Sequence, residues 1–373
     1  NYKIVNNKNF HFFFDCGSSK VRAGAFNKIN KKKHLYTESE FFTDYSNLEP
    51  QIQKIITFFE KDTNEYIDNI NLMIDSPKML SVGISISKKL DGSKLRQANI
   101  QFLIQEAKQQ IIKYYMNYSI VHIVINNYKI DNNDYPYPPN EIKCNFISID
   151  ILFICLPNKL MLHFKNIFSK SNILINQIIC SSYVKSINYK DSMNLTGHMS
   201  FIDVGFNKTS IVSFINDKVL SLDVLPVGGN HITKDISKIL KINLERSEQI
   251  KLNFDKKPGL LNYEDPSLEI VQKIIFARVE EILELCHKFI KLNPLISDNF
   301  KMILMGEGSK ILDNNYKDKI SFPSSIDFLE ETKEDICQSG FKFRAGLNRQ
   351  EVVMVPKKQT KQGFFEKLFH FFR

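Results

Sequence analysis

Two pairs of apolar strands lie about half a chain apart and share one pattern. In the first pair, the apolar run of residues 10–14 ends at Asp15, a polar turn follows, and a second apolar run covers residues 21–26. In the second pair, a polar turn separates the apolar runs of residues 198–204 and 211–215. Each pair is typical of a β-hairpin with an aspartate and a glycine at its turn. We interpret the repetition as an internal duplication.

Helical and strand-like stretches alternate along the rest of the chain, which indicates an α/β protein. Helices are predicted over residues 49–60, 101–115, 230–240, 244–252 and 268–292. Further strands are predicted over residues 70–74, 80–87, 120–125, 142–156, 218–225, 301–305 and 341–347, with a polar, proline-bearing loop over residues 131–140.

Composition and charge narrow the functional classes. The chain has 373 residues, 43% of them hydrophobic, which is enough for more than one core. The net charge is +9, but the basic residues are mostly scattered, and we expect no nucleic-acid partner. The short basic run at residues 31–33 is interpreted as a solvated turn. The longest apolar stretch, residues 149–157, is about half of the ~20 residues that a membrane span needs.

The cysteines indicate a reducing compartment. Six cysteines are present, and none are paired at the spacing of metal ligands. We expect them to act as small buried apolar residues. The first residues carry no basic segment before an apolar core, so no secretion signal is predicted and the protein is expected in the cytoplasm unless something attaches it to a membrane.

The two hairpins carry candidate phosphate chemistry. A turn of small residues exposes backbone N–H groups that can bind phosphate oxygens, and an aspartate beside it can bind hydrated Mg²⁺. Gly228 and Gly229 begin a helix, where N–H groups and the helix dipole favour anions. Gly306 ends another strand. A single such turn is most often only a turn, but the joint occurrence in this order predicts a nucleotide site between two lobes.

These motifs resemble those of the superfamily of actin, sugar kinases and heat-shock chaperone ATPases, and within it the bacterial cell-division family FtsA. The first phosphate loop is Asp15-Cys16-Gly17-Ser18-Ser19-Lys20-Val21, the second is Ile202-Asp203-Val204-Gly205 with Thr209, and the adenosine loop is Met305-Gly306-Glu307-Gly308-Ser309. The resemblance covers nearly the whole chain. It is most specific over residues 226–236, which enter the second lobe, and weaker over residues 30–190.

The resemblance implies an α/β, actin-like two-lobed ATPase fold, built from duplicated ribonuclease H-like domains, with a small α+β domain inserted in the first lobe. The implied units are the first lobe (1–82 and 155–190), the inserted domain (83–154), the second lobe core (191–232), its smaller subdomain (233–297), the second lobe core with the return to the first lobe (298–351), a linker (352–362) and an amphipathic helix (363–373). The strand-helix-strand-strand order of the insert also fits a small α+β insert with some other role.

The resemblance also implies a set of site residues. ATP phosphates would contact Gly17, Ser18, Ser19, Lys20, Gly205, Thr209, Gly228 and Gly229. The adenosine would contact Glu248, Lys251, Gly306 and Glu307. Asp15 and Asp203 would hold Mg²⁺ through water.

The sequence departs from the family pattern at the second phosphate loop. Phe206, Asn207 and Lys208 replace small residues, and a phenylalanine prevents the close backbone approach that glycine allows. Lys208 offers a point charge to a phosphate or points to solvent. Glu307 stands where glycine is common in the family. No general base is identifiable, so we expect nucleotide binding with weak ATPase activity at most.

The last eleven residues predict a membrane-binding helix. At ~100° per residue, one face carries only apolar side chains and the other carries the charged residues and the histidine. The apolar face consists of Phe364, Phe365, Leu368, Phe369, Phe371 and Phe372. Docking of this helix on the protein's own core is the alternative. The basic linker before it favours an anionic surface.

The resemblance implies a cell-division protein on the cytoplasmic side of the membrane, at the septum. It would bind ATP, self-assemble like actin, tether FtsZ and recruit later division proteins. Alternatives are a type IV pilus assembly-platform adaptor of the same fold, a chaperone-type ATPase and a pseudo-ATPase scaffold. The chaperone would need a substrate-binding domain for which the chain has no room after residue 347.

Overall fold

Two five-stranded sheets repeat one strand order in the computed structural model, which describes residues 9–139, 142–254, 268–311, 325–345 and residue 351. The first sheet has the order β3-β2-β1-β4-β9, with β1 at Phe10–Cys16, β2 at Val21–Asn27, β3 at Leu35–Glu38, β4 at Asn69–Ile74 and β9 at Leu174–Cys180. The second has the order β12-β11-β10-β13-β14, with β10 at His198–Val204, β11 at Thr209–Ile215, β12 at Lys218–Leu225, β13 at Lys301–Met305 and β14 at Ser325–Phe328.

Each sheet continues an antiparallel meander of three strands into two parallel strands. The equivalent hairpins also share one register, because Asp15 lies opposite Arg22 in the first and Asp203 lies opposite Ser210 in the second. The duplicated two-lobed fold predicted from the hairpins is therefore confirmed. Central strands such as β1 bury both faces, which explains its unbroken run of phenylalanines.

Eight α-helices lie within the described ranges. They are α1 (Leu48–Thr63), α2 (Gln97–Tyr114), α3 (Asn158–Ser169), α4 (Ser181–Ser192), α5 (Gly229–Leu240), α6 (Leu244–Asn253), α7 (Leu268–Lys291) and α8 (Lys333–Arg344). The helix α1 shows the usual packing logic, because its five buried residues are all apolar, and each buried side chain contributes about 1.5–3 kcal/mol. The helix α4 links the first sheet to the second, and α8 follows the second sheet and packs on α4 and on β1 and β2. These two helices join the lobes.

A separate four-stranded sheet interrupts the first lobe. Its strands are β5 (Leu80–Lys89), β6 (Tyr118–Ile130), β7 (Asn133–Tyr135) and β8 (Phe146–Pro157), in the order β5-β8-β6-β7. The helix α2 packs on this sheet through Leu103, Ala107 and Ile111. The strand-helix-strand-strand order agrees with the sequence prediction, except that the short strand β7 lies within the predicted loop.

The predicted strand over residues 341–347 is wrong, because residues 333–344 form α8. Thr332 caps that helix by accepting a hydrogen bond from the backbone N–H of Asp335, whose carboxylate accepts one from the N–H of Thr332. The helices α3 and α4 and the strands β3, β9 and β14 were not predicted from the sequence.

The buried apolar residues form three clusters. The first is continuous from the first sheet to one face of the second sheet, the second lies between the other face of the second sheet and its helices, and the third lies within the insert. All six cysteines are buried and have free thiols, as expected for small core residues. Within the described ranges, no helix combines the length and the apolar character needed to cross a bilayer.

Candidate functional site

The two hairpin turns meet at a cleft between the lobes. A cavity of about 870 Å³ is lined there by the first turn and by residues of the second turn. A smaller cavity of about 380 Å³ adjoins it and shares Ser19, Lys20, Phe206 and Glu307. The predicted phosphate residues that line the larger cavity are Gly17, Ser18, Ser19, Lys20 and Gly205.

The turns are closed by equivalent hydrogen bonds. The backbone N–H of Gly17 donates to the carbonyl of Lys20 at 3.0 Å, and the N–H of Gly205 donates to the carbonyl of Lys208 at 2.8 Å. A Cβ on Gly17 would lie 3.0 Å from the same carbonyl that its N–H contacts. The two glycines therefore serve the turns themselves, and their amides are already engaged.

The start of α5 binds the second turn. The N–H of Gly229 donates to the carbonyl of Gly205 at 2.9 Å, and the N–H of Asn230 donates to the carbonyl of Phe206 at 2.7 Å. Gly229 lines the smaller cavity, whereas Gly228 lines neither cavity. The amides at the start of α5, which were predicted to bind phosphate, thus donate hydrogen bonds to the second turn.

Thr209 also lies away from the cavities that the structure describes. Its side chain is fully buried, and its hydroxyl donates to the carbonyl of Val227 at 2.7 Å. It lines neither the larger nor the smaller cavity. The structure places it as a packing residue that connects β11 to the segment before α5.

The first predicted metal ligand, Asp15, is surrounded by other partners. The hydroxyl of Ser181 donates to Oδ1 of Asp15 at 2.6 Å, and Nη1 of Arg22 lies 3.4 Å from Oδ2. Burial raises the pKa of Asp15 above its ordinary value, although Arg22 and Lys185 favour the charged form. Its position at the end of β1 directs the carboxylate into the larger cavity.

The second predicted ligand, Asp203, pairs with a lysine of α4. Nζ of Lys185 lies 2.8 Å from Oδ2 of Asp203 and 3.1 Å from Oε1 of Glu331. Burial alone would favour the neutral amine, but the carboxylates of Asp203 and Glu331 raise the pKa of Lys185 well above its usual range. This ammonium is therefore charged, and it bridges two carboxylates.

These partners do not fit the predicted magnesium ion. Mg²⁺ needs free carboxylate oxygens and room for several waters. Oδ2 of Asp203 instead contacts an ammonium, and Asp15 contacts a guanidinium and a hydroxyl. Across the part of the chain that the structure describes, no three acidic, histidine or cysteine side chains are grouped as metal ligands would be.

The predicted adenosine residues lie around the smaller cavity. Glu248, Lys251 and Glu307 line it, and Gly306 lines the larger cavity nearby. Lys251 and Glu248 form a buried ion pair at 2.7 Å, and Nζ of Lys251 also donates to the carbonyl of Gly229 at 3.0 Å. Burial lowers the pKa of Lys251, against the attraction of Glu248. This pair stabilises the wall of the cavity.

Phe206 lies where the two cavities meet. Its ring packs edge to face on Phe41 of the first lobe, with centroids 5.4 Å apart, and Nζ of Lys251 lies 5.5 Å from its centroid. Phe206 is buried and lines both cavities. The residue that departs from the family pattern therefore bridges the two lobes.

Several charged groups that line the larger cavity were not predicted from the sequence. They include Arg22, Asp75, Lys185 and Glu331. Asp75 accepts a hydrogen bond from Nζ of Lys208 at 2.9 Å, so that lysine points into the cleft. A signal was present for Lys185, since a lysine in a segment without a clear polar face is unusual unless it has a partner.

Size and charge in the cleft fit a nucleoside polyphosphate. The cavities fall in the range of ~300–1,000 Å³ typical of small-molecule sites. Lys20, Lys78 and Lys159 line the larger cavity in addition to the cations that are paired with buried carboxylates.

The predicted membrane-binding side chains within residues 363–373 lie outside the described residues.

The chain is similar in sequence to FtsA proteins, the family that the motif residues resemble. A family model described as "Cell division protein FtsA" matches residues 200–273. Cell division protein FtsA of Agrobacterium fabrum is 19% identical over 306 residues, which cover 76% of this chain and 68% of that protein. FtsA of Buchnera aphidicola subsp. Acyrthosiphon pisum is 20% identical over 352 residues, covering 82% of each chain. FtsA of Bacillus subtilis is 36% identical over 115 residues, covering 26% and 25%.

Among solved structures, the PilM-PilN type IV pilus biogenesis complex is similar with a TM-score of 0.59, over 89% of this chain and 95% of that one. At 12% identity, this similarity shows the fold alone. The sequence matches are to FtsA cell-division proteins, and they support a divergent FtsA with the actin-like ATPase fold.

Proposed function

We propose that this protein is an actin-like adaptor of cell division that tethers FtsZ filaments to the cytoplasmic face of the membrane and recruits later division proteins. One observation carries the proposal. The segment that matches the FtsA model, residues 200–273, contains the second turn, the double-glycine entry to α5 and the helices after it. In the structure, this segment forms the second wall of the cleft and the helices beside it.

ATP binding in the cleft is part of the proposal. Ser18, Ser19 and Lys20 would contact phosphates, while Glu248 and Glu307 would contact the nucleoside. When bound, the nucleotide would add a bridge between the lobes. Asp15 and Asp203 already have hydroxyl or cationic partners, which favours a nucleotide-dependent assembly switch over turnover.

Contact with FtsZ is proposed for the smaller subdomain of the second lobe, residues 233–297. Several large apolar side chains of this subdomain are exposed, which is typical of a surface that binds a partner. They include Ile239, Leu244, Leu252, Ile270, Leu292 and Leu295. Self-assembly and the recruitment of later division proteins are proposed to involve the inserted sheet and α2, where Phe102, Ile112 and Tyr114 are exposed.

Membrane attachment is proposed for residues 363–373. The apolar face of this segment has five phenylalanines and one leucine, and lysines precede it at positions 357, 358 and 361. An aromatic, amphipathic helix beside basic residues suits the boundary of an anionic bilayer. A pilus-assembly adaptor is the second candidate, favoured by the fold similarity, but the sequence matches are to FtsA proteins.

Co-sedimentation with vesicles tests this proposal. We expect the full chain to pellet with vesicles that contain anionic lipids, and a chain that ends at residue 362 to stay in the supernatant. Phe365→Glu with Phe369→Glu should also abolish pelleting, whereas the matched change Glu366→Gln on the polar face should not. Equal behaviour of the full and shortened chains would contradict the membrane role.

A second arm of the same experiment tests the partner. Purified FtsZ should pellet with vesicles when the full chain is present, and should remain soluble with the chain that ends at residue 362. If the full chain pellets alone but never carries FtsZ with it, the division role is wrong and the pilus alternative gains support.

A further inference from the structure

Three largely buried cations line the cleft, and each lies beside carboxylates from other parts of the fold. Lys185 pairs with Asp203 and Glu331, Lys208 pairs with Asp75, and Arg22 pairs with Asp15 and Glu307. All of these residues line the larger cavity. Five acidic groups in a confined space need compensation, because unpaired buried charges are costly.

Lys185 has the central place among the three. It rises from α4 and is almost fully buried, with its Nζ between Asp203 at the end of β10 and Glu331 just before α8. Two carboxylates from separate elements therefore face one positive centre. Two carboxylates that face one point can bind a divalent cation, but here the ammonium of Lys185 occupies that point.

The other two cations connect the lobes directly. Nζ of Lys208, in the second lobe, lies 2.9 Å from Oδ2 of Asp75 at the end of β4 in the first lobe. Nη2 of Arg22, on β2 of the first lobe, lies 2.6 Å from Oε1 of Glu307 after β13. Two of the protein's own ion pairs therefore connect the lobes across the cleft.

A divalent ion at Asp15 or Asp203 would stand close to these fixed positive charges. Lys185 lies 2.8 Å from the carboxylate oxygen of Asp203, and Arg22 lies 3.4 Å from that of Asp15. The ion would be repelled by both unless their side chains moved out of a buried site. Movement would leave an ammonium or a guanidinium without its partner.

We propose that the cleft of this protein is independent of divalent metal, and that Lys185, supported by Lys208 and Arg22, supplies the positive charge that joins the two lobes. A polyphosphate in the larger cavity would accordingly bind as the metal-free anion, near Lys20, Lys78 and Lys159. That second statement rests on the proposed nucleotide binding, whereas metal-free closure does not.

Thermal unfolding tests the closure directly. For the wild-type chain, the melting temperature should be the same in magnesium chloride and in sodium chloride with EDTA at equal ionic strength. Lys185→Ala should melt lower in EDTA, because Asp203 and Glu331 then repel each other. Magnesium or manganese should raise its melting temperature by several degrees, since the two carboxylates and the vacated space form a metal site.

The matched control is Lys190→Ala on the same helix. Lys190 is also buried, but it pairs with Asp217 at 2.8 Å outside the cleft. Its loss should lower the melting temperature equally in both buffers. A rise in the melting temperature of the wild-type chain with metal would overturn the proposal. An unchanged melting temperature of Lys185→Ala in magnesium and in manganese would also overturn it.

Two further measurements secure the outcome. If Lys185→Ala does not fold, Lys208→Ala replaces it, because this change leaves Asp75 without its ammonium at a less buried position. The wild-type comparison needs no variant. Calorimetric titration with ATP should show binding at least as tight in EDTA as in magnesium. Binding more than tenfold tighter with magnesium would overturn the proposal. Absence of ATP binding in both buffers would count against the proposed nucleotide role, while the melting data still decide the metal question.

Discussion

Asp75 of the first lobe accepts a hydrogen bond from Nζ of Lys208 of the second lobe at 2.9 Å, across the cleft. Both side chains are largely buried. Burial raises the pKa of Asp75, but Lys208 and the thiol of Cys180 outweigh it and hold the pKa below its ordinary 3.8. The carboxylates of Asp75 and Asp203 in turn raise the pKa of Lys208 against the effect of burial. Both shifts indicate a stabilising pair.

The first prediction concerns this pair. Asp75→Asn should lower the free energy of unfolding by about 3 kcal/mol, because it leaves a buried ammonium without its carboxylate. Lys208→Met should cost a similar amount, and the double variant should cost less than the sum. Urea unfolding of the four chains gives the coupling energy.

An exposed ion pair provides the control. Lys170 and Glu49 also connect separate elements, at 2.8 Å, but their side chains are 61% and 37% exposed. Glu49→Gln should change the free energy of unfolding by less than about 1 kcal/mol. Additive effects of Asp75→Asn and Lys208→Met would show that the pair does not join the lobes.

The second prediction is a pH dependence from Glu307. Burial opposes its charge, but Arg22 and Lys310 outweigh burial and lower the pKa of Glu307 to about 2 from 4.5. A carboxylate with a lowered pKa stabilises the fold above its unfolded pKa, and this stabilisation is lost as the pH falls toward the folded value. Glu307→Gln should therefore be less stable than wild type at pH 7, and the difference should shrink as the pH falls from about 5 toward 3.

Urea midpoints measured at intervals between pH 7 and pH 3 check this expectation. Lys273 and Glu269 supply the comparison, because they form a solvent-exposed pair within α7. Glu269→Gln should leave the pH profile close to that of wild type. Parallel profiles for Glu307→Gln and wild type would mean that Glu307 does not contribute through its charge.

Local patterns in the sequence predicted the hairpins, because each strand and its turn lie within a few residues of each other. The helix α4 was missed because most of its residues are buried, including Lys185 and Lys190, so no polar face marks it. The strand predicted over residues 341–347 was wrong because Phe341 and Phe343 alternate like a strand. In α8, Phe341 instead stacks on Phe26 with centroids 4.3 Å apart.

The site shows the same limit. The sequence located the turn residues that line the cleft, but not their partners. Asp75 and Lys208 are 133 positions apart in the chain, and Lys185 and Glu331 are 146 apart. Such pairs arise from the packing of the two lobes, so local patterns in the sequence do not predict them. Whether the aspartates hold metal therefore depends on residues that the motifs do not contain.

The third prediction concerns Gly228, whose backbone is extended. A Cβ at this position would lie 2.4 Å from the carbonyl oxygen of Gly205 and 2.8 Å from that of Phe206. Gly228→Ala should therefore push α5 away from the second turn and lower the free energy of unfolding by about 2–3 kcal/mol. The loss should appear without any nucleotide, because the contact is within the protein.

Gly83 is the matched control, since a Cβ there meets no atom within 4 Å. It lies in β5 of the inserted sheet, and Gly83→Ala should be neutral or gain about 0.5 kcal/mol. Urea unfolding of both variants without ligand decides the matter. A harmless Gly228→Ala would mean that the second turn can shift to accommodate a Cβ at this position.

The fourth prediction concerns Phe206. The ring is buried against Phe41 and lines both cavities, so Phe206→Ala should lower the free energy of unfolding by about 3 kcal/mol and join the two cavities. Phe206→Leu keeps most of the volume and should cost less than about 1.5 kcal/mol.

Because the joined space admits a nucleoside and its phosphates together, a fluorescent ATP analogue should bind Phe206→Ala more tightly than either wild type or Phe206→Leu. Titration by fluorescence anisotropy measures this order of affinities, and weaker binding to Phe206→Ala would instead assign the ring to the nucleotide site as a contact surface.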